Sequence, residues 1–361
     1  MKKKQSNEIL ITINIPQFRD DLINWFEEEQ RDLPWRKNQD PYRVWVSEIM
    51  LQQTKVETVI PYFQRFISNF PTIEALASAD EQEVLKSWEG LGYYSRIRNL
   101  QSAVKEVVEK YDAKIPEDPD KFGNLKGVGP YTTGAVLSIA YDMPEPAVDG
   151  NVMRVLSRIL VIQEDIAKAK TRKIFEQAVR QLISHNNPSA FNQGLMELGA
   201  LICTPRNPSC LLCPVQEHCI AYKKGIEKTL PVKTKKTKQK QKTYFVLVLE
   251  DNKANYLLEQ RPAEGLLAQM WQFPMVETKE VSENLLIPFI KERYHTDCQT
   301  IEYLQPIKHV FSHITWELNV LKIKCDKVKA LNHHQRMLSI EEIGDYPLPV
   351  SHQKVYKQIL H

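Results

Sequence analysis

The sequence lacks the features of a membrane or secreted protein. It contains no run of about 18 apolar residues, the length that a membrane-spanning helix needs. The apolar stretch near its start, Ile9–Ile15, is short, is interrupted by Thr12 and Asn14, and has no small-residue cleavage site. We therefore expect neither a membrane span nor a signal peptide, and we predict a cytoplasmic protein.

A strong excess of one charge is also missing, because the net charge is only +3 over 361 residues. That balance does not by itself indicate a nucleic-acid-binding protein. Charge is concentrated locally instead, since nine lysines and a single acid, Glu227, occur from Lys223 to Lys242. We predict a basic linker over residues 222–242, and a lysine-rich tether beside a polyanion would also add salt-sensitive affinity.

Cysteines are few, six in all, and without a secretory signal they do not indicate a disulfide framework. Four of them crowd into one short segment with the spacing C-x6-C-x2-C-x5-C, namely Cys203, Cys210, Cys213 and Cys219. Zinc sites usually separate two cysteine pairs by about a dozen residues. A four-iron cluster can instead take four thiolates from one compact loop. The spacing favours a 4Fe–4S cluster over zinc, with free thiols as the third alternative.

Internal repeats are absent as well, and the patterns divide the chain into two domains. Residues 1–221 show apolar positions at helical spacing and no convincing strand. One such stripe is formed by Val152, Val155, Leu156 and Ile159. Residues 243–361 show short apolar runs, such as "TYFVLVLE" and "NYLLEQR", separated by turns and followed by a terminal helix pattern. We predict an all-α domain followed by an α+β domain.

A glycine-rich segment, "LKGVGPYTTGAV" at Leu125–Val136, leads into an apolar helix pattern. A turn of this kind places backbone N–H groups where they can bind phosphate. A nucleotide-binding P-loop would carry GK[ST] after its second glycine, and this segment does not. The other source of phosphate is a nucleic-acid backbone.

Glu48 lies in the middle of a predicted helix, and its neighbours one turn away are mostly apolar: Val44, Trp45, Leu51 and Gln52. Burial against such a face would raise the pKa of the carboxyl and keep a proton on it near neutral pH. Taken alone, the residue is better explained as a surface glutamate with an aromatic neighbour.

Asp149 precedes a predicted helix that starts at Gly150, as an N-cap residue does. Hydrogen bonds from the backbone of Asn151 or Val152, together with the positive helix end, would lower its pKa and keep it ionised. Aspartate caps many ordinary helices, so this position alone does not indicate catalysis. Paired with Glu48, it supplies the protonated acid and ionised base that reactions at a sugar anomeric carbon use.

Six sequence motifs occur in a characteristic order. They are "LPWR", "VSEIMLQQT", "WEGLGYYSR", "LKGVGPYTTGAV", "AVDGNVMRV" and the cysteine loop. Over nearly the whole chain, this set resembles the MutY-type adenine DNA glycosylases of the helix-hairpin-helix superfamily. The resemblance implies an all-α helix-hairpin-helix glycosylase domain with an iron–sulfur cluster loop at residues 203–219. It also implies an α+β Nudix-like C-terminal domain.

The resemblance places the chemistry in the helical domain. Glu48 would protonate the adenine ring and so activate it as a leaving group. Asp149 would stabilise the sugar oxocarbenium ion, as a transient covalent partner. Asn151 would orient this site, and Tyr131 would support Asp149.

The resemblance also implies where DNA is held. The helix-hairpin-helix motif would be residues 125–136, with the backbone at Gly127 and Gly129 holding a DNA phosphate. Gln53 and Tyr93 resemble the wedge residues that fill the base stack beside the extruded adenine. Such a wedge is needed because flipping a base costs a few kcal/mol of unstacking.

The C-terminal domain would recognise 8-oxoguanine opposite the adenine through Phe311, Ser312 and His313. The segment Gly265–Glu277 resembles the approach to a Nudix box. The glutamate cluster of a working box is missing, because only Glu292 stands in that register. We therefore do not expect pyrophosphate hydrolysis.

Three alternatives are weaker. A bifunctional glycosylase and AP lyase of the endonuclease III kind needs a lysine to form a Schiff base, and Tyr131 occupies the position of that lysine. A non-catalytic iron–sulfur DNA-binding protein would not need both Glu48 and Asp149, and a nucleotide hydrolase needs the missing glutamates. We predict a monomeric, nucleoid-associated, monofunctional enzyme that removes adenine opposite 8-oxoguanine or guanine in double-stranded DNA.

Overall fold

The chain divides into two compact units. The computed structural model describes residues 12–234, 240–328 and 332–360. The first unit takes in the described parts of Met1–Ala77 and Asn99–Lys236, and the second those of Ser78–Arg98 and Thr237–His361. The segment Ser78–Arg98, which the sequence pattern groups with the first domain, is therefore part of the second unit.

The predicted basic linker, residues 222–242, differs from the structure at both ends. Leu230 is buried and packs with Ala221 in a small apolar cluster. At the other end, the first strand already begins at Lys240. Residues 235–239 lie outside the described residues. The segment packs because apolar side chains are interspersed among its lysines.

Residues 12–234 form helices and turns without a strand, as the sequence predicts. The helices are α1 (Ile15–Glu29), α2 (Pro41–Leu51), α3 (Val56–Asn69), α4 (Ile73–Ser78), α5 (Glu81–Ser87), α6 (Ser95–Lys110), α7 (Pro119–Gly123), α8 (Pro130–Tyr141), α9 (Gly150–Ile159), α10 (Ala169–Leu182), α11 (Pro188–Leu201) and α12 (Ile220–Lys223). Within the described residues, no helix is long and apolar enough to cross a membrane.

Helix α2 is bounded by clear local signals. The Asp40 side chain accepts a hydrogen bond from the N–H of Arg43 at 2.9 Å, and Pro41 occupies the first helical position. The helix ends at Leu51, and Gln53 then adopts a left-handed conformation with φ 60°. The turn at Gln53 separates α2 from α3, directly after the buried residues of α2, which extend to Met50.

The core of the first unit is built around α9. The stripe predicted from the sequence is buried, with exposures of 0–3% for Val152, Val155, Leu156 and Ile159. It packs against α1, α10 and α11 through side chains such as Phe18, Phe175 and Leu195. This packing fixes the N-terminus of α9, where Asp149 is the cap.

Two glycines shape the surroundings of α8. Gly127, in the turn between α7 and α8, has φ +79°, and a Cβ there would lie 2.6 Å from the Cβ of Asn99. Gly134, within α8, allows the carbonyl oxygen of Pro146 to approach so closely that a Cβ would lie 2.0 Å from it. The close approach at Gly134 brings the segment that carries Asp149 directly against α8.

The second unit is an α+β structure, as predicted. Its strands are β1 (Lys240–Glu250), β2 (Tyr256–Gln260), β3 (Trp271–Gln272), β4 (Met275–Glu277), β5 (Cys298–Tyr303), β6 (Ile307–Val310), β7 (Ile314–Cys325) and β8 (Gln335–Leu338). The strands are accompanied by α13 (Leu286–Tyr294) and α14 (Val350–Ile359), and α5 belongs to the same unit.

The strands form one mixed sheet in the order β3-β2-β1-β7-β5, with β4 also on β1, β6 on β7 and β8 on β2. Among the strands of the described residues, only the central pair, β1 and β7, runs parallel, from Lys240 opposite Ile314 to Glu250 opposite Lys324. Two apolar clusters are built from strand and helix residues, one of them with α14 and the other with α13. Alternate residues of β1 belong to different clusters, so both faces of the sheet are covered.

The predicted strands around "FSH" are present as an antiparallel pair. Val310 of β6 lies opposite Thr315 of β7. Phe311–His313 forms the connection, and its chain is held by a hydrogen bond from the N–H of Phe311 to the carbonyl oxygen of Ile314 at 2.8 Å.

Candidate active site

The four residues proposed for catalysis line one cavity of the first unit. The cavity has a volume of about 170 Å³. Glu48 comes from α2, Tyr131 from the first turn of α8, and Asp149 and Asn151 from the N-terminus of α9, while α11 supplies further wall residues. The fold therefore brings together carboxylates that lie far apart in the sequence.

Glu48 is buried, with 5% of its surface exposed. Burial raises its pKa to about 7, and the neighbouring Asp149 adds to the increase. The Tyr131 hydroxyl donates a hydrogen bond to Glu48 Oε2, which opposes the increase. A carboxyl in this environment holds a proton for much of the time at neutral pH.

Tyr131 therefore interacts with a different carboxylate from the one expected. Its predicted partner was Asp149, but its hydroxyl donates to Glu48. The physical reason is that α2 and α8 pack side by side, so the phenol at the start of α8 reaches the middle of α2. Burial and the two nearby carboxylates raise the pKa of Tyr131 well above its usual value, so the phenol stays protonated.

Asp149 is the N-cap of α9, as predicted. Its Oδ1 accepts a hydrogen bond from the N–H of Val152 at 2.7 Å, and its Oδ2 accepts one from Asn151 Nδ2 at 2.9 Å. The expected decrease of its pKa is wrong, because burial raises the pKa of Asp149 despite these bonds. Both oxygens nevertheless accept N–H bonds, which stabilise the ionised form and offset part of the effect of burial.

Asn151 is held in turn by Arg154, one turn further along α9. Arg154 Nη2 donates to Asn151 Oδ1 at 2.9 Å, which leaves the amide N–H groups facing Asp149. The same guanidinium donates through Nε to the carbonyl oxygen of Cys203 at 2.8 Å. A continuous set of hydrogen bonds thus connects Asp149 with the first residue of the cysteine loop.

A buried ion-pair cluster in the same cavity was missed from the sequence. Glu197 of α11 is 2% exposed and pairs with Arg31 Nε at 2.7 Å and Arg36 Nη2 at 3.0 Å. Burial alone would raise the pKa of Glu197, but the two guanidinium groups lower it to about 2. The ion pair could have been predicted from Glu197, the one acid in the apolar run "AFNQGLMELGALIC". An acid buried with such a run requires a partner of opposite charge.

The four cysteines of the loop line one cavity beside the C-terminal half of α9. Burial raises the pKa of the Cys213 thiol to about 12, and it also raises the pKa values of Cys210 and Cys219. Arg158 Nη1 donates to Cys203 Sγ at 3.1 Å. Four soft thiol ligands beside a buried guanidinium fit an anionic iron–sulfur cluster.

The hairpin between α7 and α8 presents its backbone to solvent. Lys126 and Gly127 are exposed, whereas Leu125 and Val128 are buried beneath them. The N–H of Val128 donates to the carbonyl oxygen of Leu125 at 3.0 Å, which closes the turn. The turn leads directly into the N-terminus of α8, whose dipole favours an anion there.

Both wedge candidates adopt a conformation that non-glycine residues rarely take. Gln53 has φ 60° and lies in the first unit, and Tyr93 has φ 50° and lies in the second. Both side chains are exposed, with 43% of the Tyr93 surface open to solvent. Strained, exposed side chains of this kind are concentrated at functional sites.

In the second unit, Tyr93 and the "FSH" connection line one cavity. Its volume is about 470 Å³, and its wall also includes the Gly265–Ala268 loop. Phe311 packs edge-on against Trp316, with the ring centroids 4.8 Å apart. Ser312 and His313 are exposed at the rim. The partly buried phenylalanine thus anchors a loop whose polar residues are exposed.

Comparisons with known proteins give three family models that match this chain. A model of the HhH-GPD superfamily base excision DNA repair proteins matches residues 46–181, and a NUDIX domain model matches residues 244–358. The model of the iron-sulfur binding domain of endonuclease III matches residues 203–219, from the first to the last cysteine of the loop.

The curated relatives include adenine DNA glycosylases of animals and bacteria. The rat protein is 33% identical, with 95% of this chain and 78% of that protein covered. The protein of Buchnera aphidicola subsp. Schizaphis graminum is also 33% identical, with 92% and 96% covered. The human protein gives 33% identity, with 95% and 74% covered.

The chain belongs to the adenine DNA glycosylase family.

Solved structures agree with this fold for the helical part. A thermostable thymine-DNA glycosylase is 26% identical, with a TM-score of 0.52 over 58% of this chain and 97% of that chain. A non-covalent endonuclease III–DNA complex has 22% identity and a TM-score of 0.50 over 60% of this chain and 100% of that chain, which supports the fold alone.

As an adenine DNA glycosylase family member, the chain is a DNA N-glycosylase with DNA as its substrate. The predicted family, the helical domain and the Nudix-like domain are confirmed. An iron–sulfur cluster is also indicated, by the match over the cysteine loop. The individual roles given to Glu48, Asp149 and the DNA-contacting residues remain predictions.

Proposed function

We propose that this adenine DNA glycosylase hydrolyses the N-glycosidic bond of adenine opposite 8-oxoguanine, or opposite guanine, in duplex DNA and leaves an abasic site. One observation carries the proposal: a single cavity holds a carboxyl with a pKa of about 7 and a second carboxylate fixed by two N–H donors. A leaving group that needs a proton and a sugar that develops positive charge require that pair.

The two carboxyl groups would act in sequence. Glu48 would donate its proton to the adenine ring, which weakens the bond between base and sugar. Asp149 would stabilise the positive charge on the sugar, as a transient covalent partner, before water completes hydrolysis. Tyr131 would hold the Glu48 carboxyl in place, and Asn151 would hold Asp149.

The enzyme would be monofunctional. A lyase step needs an amine to form a Schiff base with the opened sugar. No lysine is found among the described residues that line this cavity, whose cations are Arg31 and Arg36. Strong borohydride trapping on an abasic duplex at single-turnover rates would contradict this part of the proposal.

We further propose that the cluster is of the 4Fe–4S type, held by Cys203, Cys210, Cys213 and Cys219. In the described part of the chain, no group of three or more histidine, cysteine or acidic side chains converges as the ligands of one metal ion do. Four iron atoms, each taking one thiolate, would not require such convergence. The cluster would hold the loop in shape and position it for DNA.

The remaining contacts would hold and inspect the duplex. The hairpin backbone at Gly127 and Gly129 would bind a phosphate, and Gln53 and Tyr93 would fill the stack beside the flipped adenine. The loop of Phe311, Ser312 and His313 would recognise 8-oxoguanine. We propose that the protein is a monomer, cytoplasmic and associated with the nucleoid.

The decisive experiment measures adenine release from an 8-oxoguanine:adenine duplex under single-turnover conditions. D149N keeps an oxygen for the cap hydrogen bond but removes the charge, so the rate should fall by about 10³-fold or more. D142N, at the exposed far end of α8, is the matched control and should keep the wild-type rate. Unchanged release by D149N would refute the mechanism.

A further inference from the structure

Arg158 is an unusual residue because its guanidinium group is buried completely, with 1% of its surface exposed. It lies at the C-terminal end of α9 and donates to the cysteine loop. Nη1 donates to Thr204 O at 2.8 Å and to Cys203 Sγ at 3.1 Å, and Nη2 donates to Pro205 O at 3.2 Å. Nε donates to Leu230 O at 3.1 Å.

These bonds give each guanidinium nitrogen of Arg158 an acceptor, but none of the acceptors is a carboxylate. Among the described residues, no carboxylate lies within ion-pair distance of this guanidinium; Arg180, for comparison, pairs with Glu145 at 2.8 Å. A second buried guanidinium, that of Arg154, contacts the same loop at Cys203. A buried charge without a partner is costly, so the site requires an anion there.

The anion must lie on the side of Arg158 that faces the thiols. Carbonyl oxygens occupy its remaining donors, and Cys203 Sγ is the one acceptor in its hydrogen bonds that becomes an anion on binding iron. Four thiolates on a four-iron cluster give the assembly a net negative charge.

We propose that Arg158 is the charge partner of the iron–sulfur cluster and that its N–H···S bond to Cys203 sets the reduction potential of the cluster and slows its loss. The inference rests on the cluster type given under the proposed function.

The direction of the effect follows from charge. A nearby cation and a hydrogen bond to sulfur stabilise the more negative, reduced state of a cluster over the oxidised one. Removing them must therefore shift the midpoint potential to a more negative value, whichever pair of oxidation states is measured. The same loss weakens the hold of the loop on iron, by about tenfold if it resembles other outer partners of metal ligands.

The test compares R158Q, which removes the charge, with R158K, which retains it. R180Q, which removes the exposed guanidinium of α10, is the matched control. On purified full-length protein, we would measure iron and sulfide content, the rate of absorbance loss in air, and the midpoint potential by voltammetry. We expect the potential to fall in the order wild type, R158K, R158Q, with cluster loss about tenfold faster in R158Q and R180Q unchanged.

An unchanged midpoint potential in R158Q would overturn the proposal. Equal rates of cluster loss in R158K and R158Q would also overturn it, because Arg158 would then stabilise only the fold of the loop. Cluster retention in R158K together with its loss in R158Q supports the proposal even if R158Q holds too little iron for voltammetry. Wild-type protein without iron and sulfide would refute both the cluster and this inference. An iron-loaded, active wild type with an unaltered R158Q refutes this inference alone.

Discussion

The cavity around Glu48 and the loop at Phe311–His313 are built in opposite ways. Around Glu48, charged groups are buried and each has a defined partner: Tyr131 donates to Glu48, and two arginines donate to Glu197. In the loop, one aromatic side chain packs inward while Ser312 and His313 remain exposed. The first region is held together by buried hydrogen bonds and ion pairs, whereas the second exposes polar side chains to solvent.

This contrast separates two tasks of one enzyme. Burial in the first region changes the protonation of the acid, and chemistry at a sugar needs such a change. An exposed loop cannot shift a pKa in this way, but it can add or remove contacts to a base without disturbing the core. Changes in the cavity should therefore alter the rate, whereas changes in the loop should alter the choice of substrate.

Among the changes that test this contrast, E48Q should have the largest effect. Glutamine keeps the shape and can still accept the hydrogen bond from Tyr131, but its amide has no acidic proton to transfer to adenine. Adenine release should slow by about 10²–10⁴-fold, the usual contribution of a general acid. Single-turnover kinetics on an 8-oxoguanine:adenine duplex measure this effect.

E28Q, on the exposed face of α1, is the matched control for E48Q and should keep the wild-type rate. The melting temperature of E48Q should not fall, because the amide oxygen can still accept the hydrogen bond from Tyr131. A rate within twofold of wild type for E48Q would show that the proton comes from elsewhere.

Local patterns in the sequence predicted a large part of this fold. The apolar stripe of α9 and the cap at Asp149 follow from residue spacing within one helix, and both are present. The partner of Tyr131 could not be predicted in this way, because Glu48 lies 83 residues away and meets it only when α2 and α8 pack. The raised pKa of Asp149 has the same origin, since burial depends on the whole unit.

A smaller effect, on selectivity, is expected for H313A in the exposed loop. A well-placed polar contact to a base contributes about 1–3 kcal/mol of discrimination. Loss of the imidazole should therefore reduce the preference for 8-oxoguanine:adenine over guanine:adenine by about tenfold, without changing the melting temperature. The ratio of kcat/KM on the two duplexes measures it.

H333A, another exposed histidine of the second unit, is the matched control for H313A. If H313A instead slowed both substrates equally, the loop would contribute to general DNA binding, and the division between the two regions would fail.

The smallest change is expected in the pH profile of Y131F. The Tyr131 hydrogen bond lowers the pKa of Glu48, which burial raises to about 7. Because the acid must be protonated to act, the wild-type rate should decrease as the pH rises through about 7. Without the phenol the pKa of Glu48 rises further, so the decrease in Y131F should occur at higher pH. A shift to lower pH would mean that Tyr131 stabilises the protonated form of Glu48, contrary to the hydrogen bond that the phenol donates to this carboxylate.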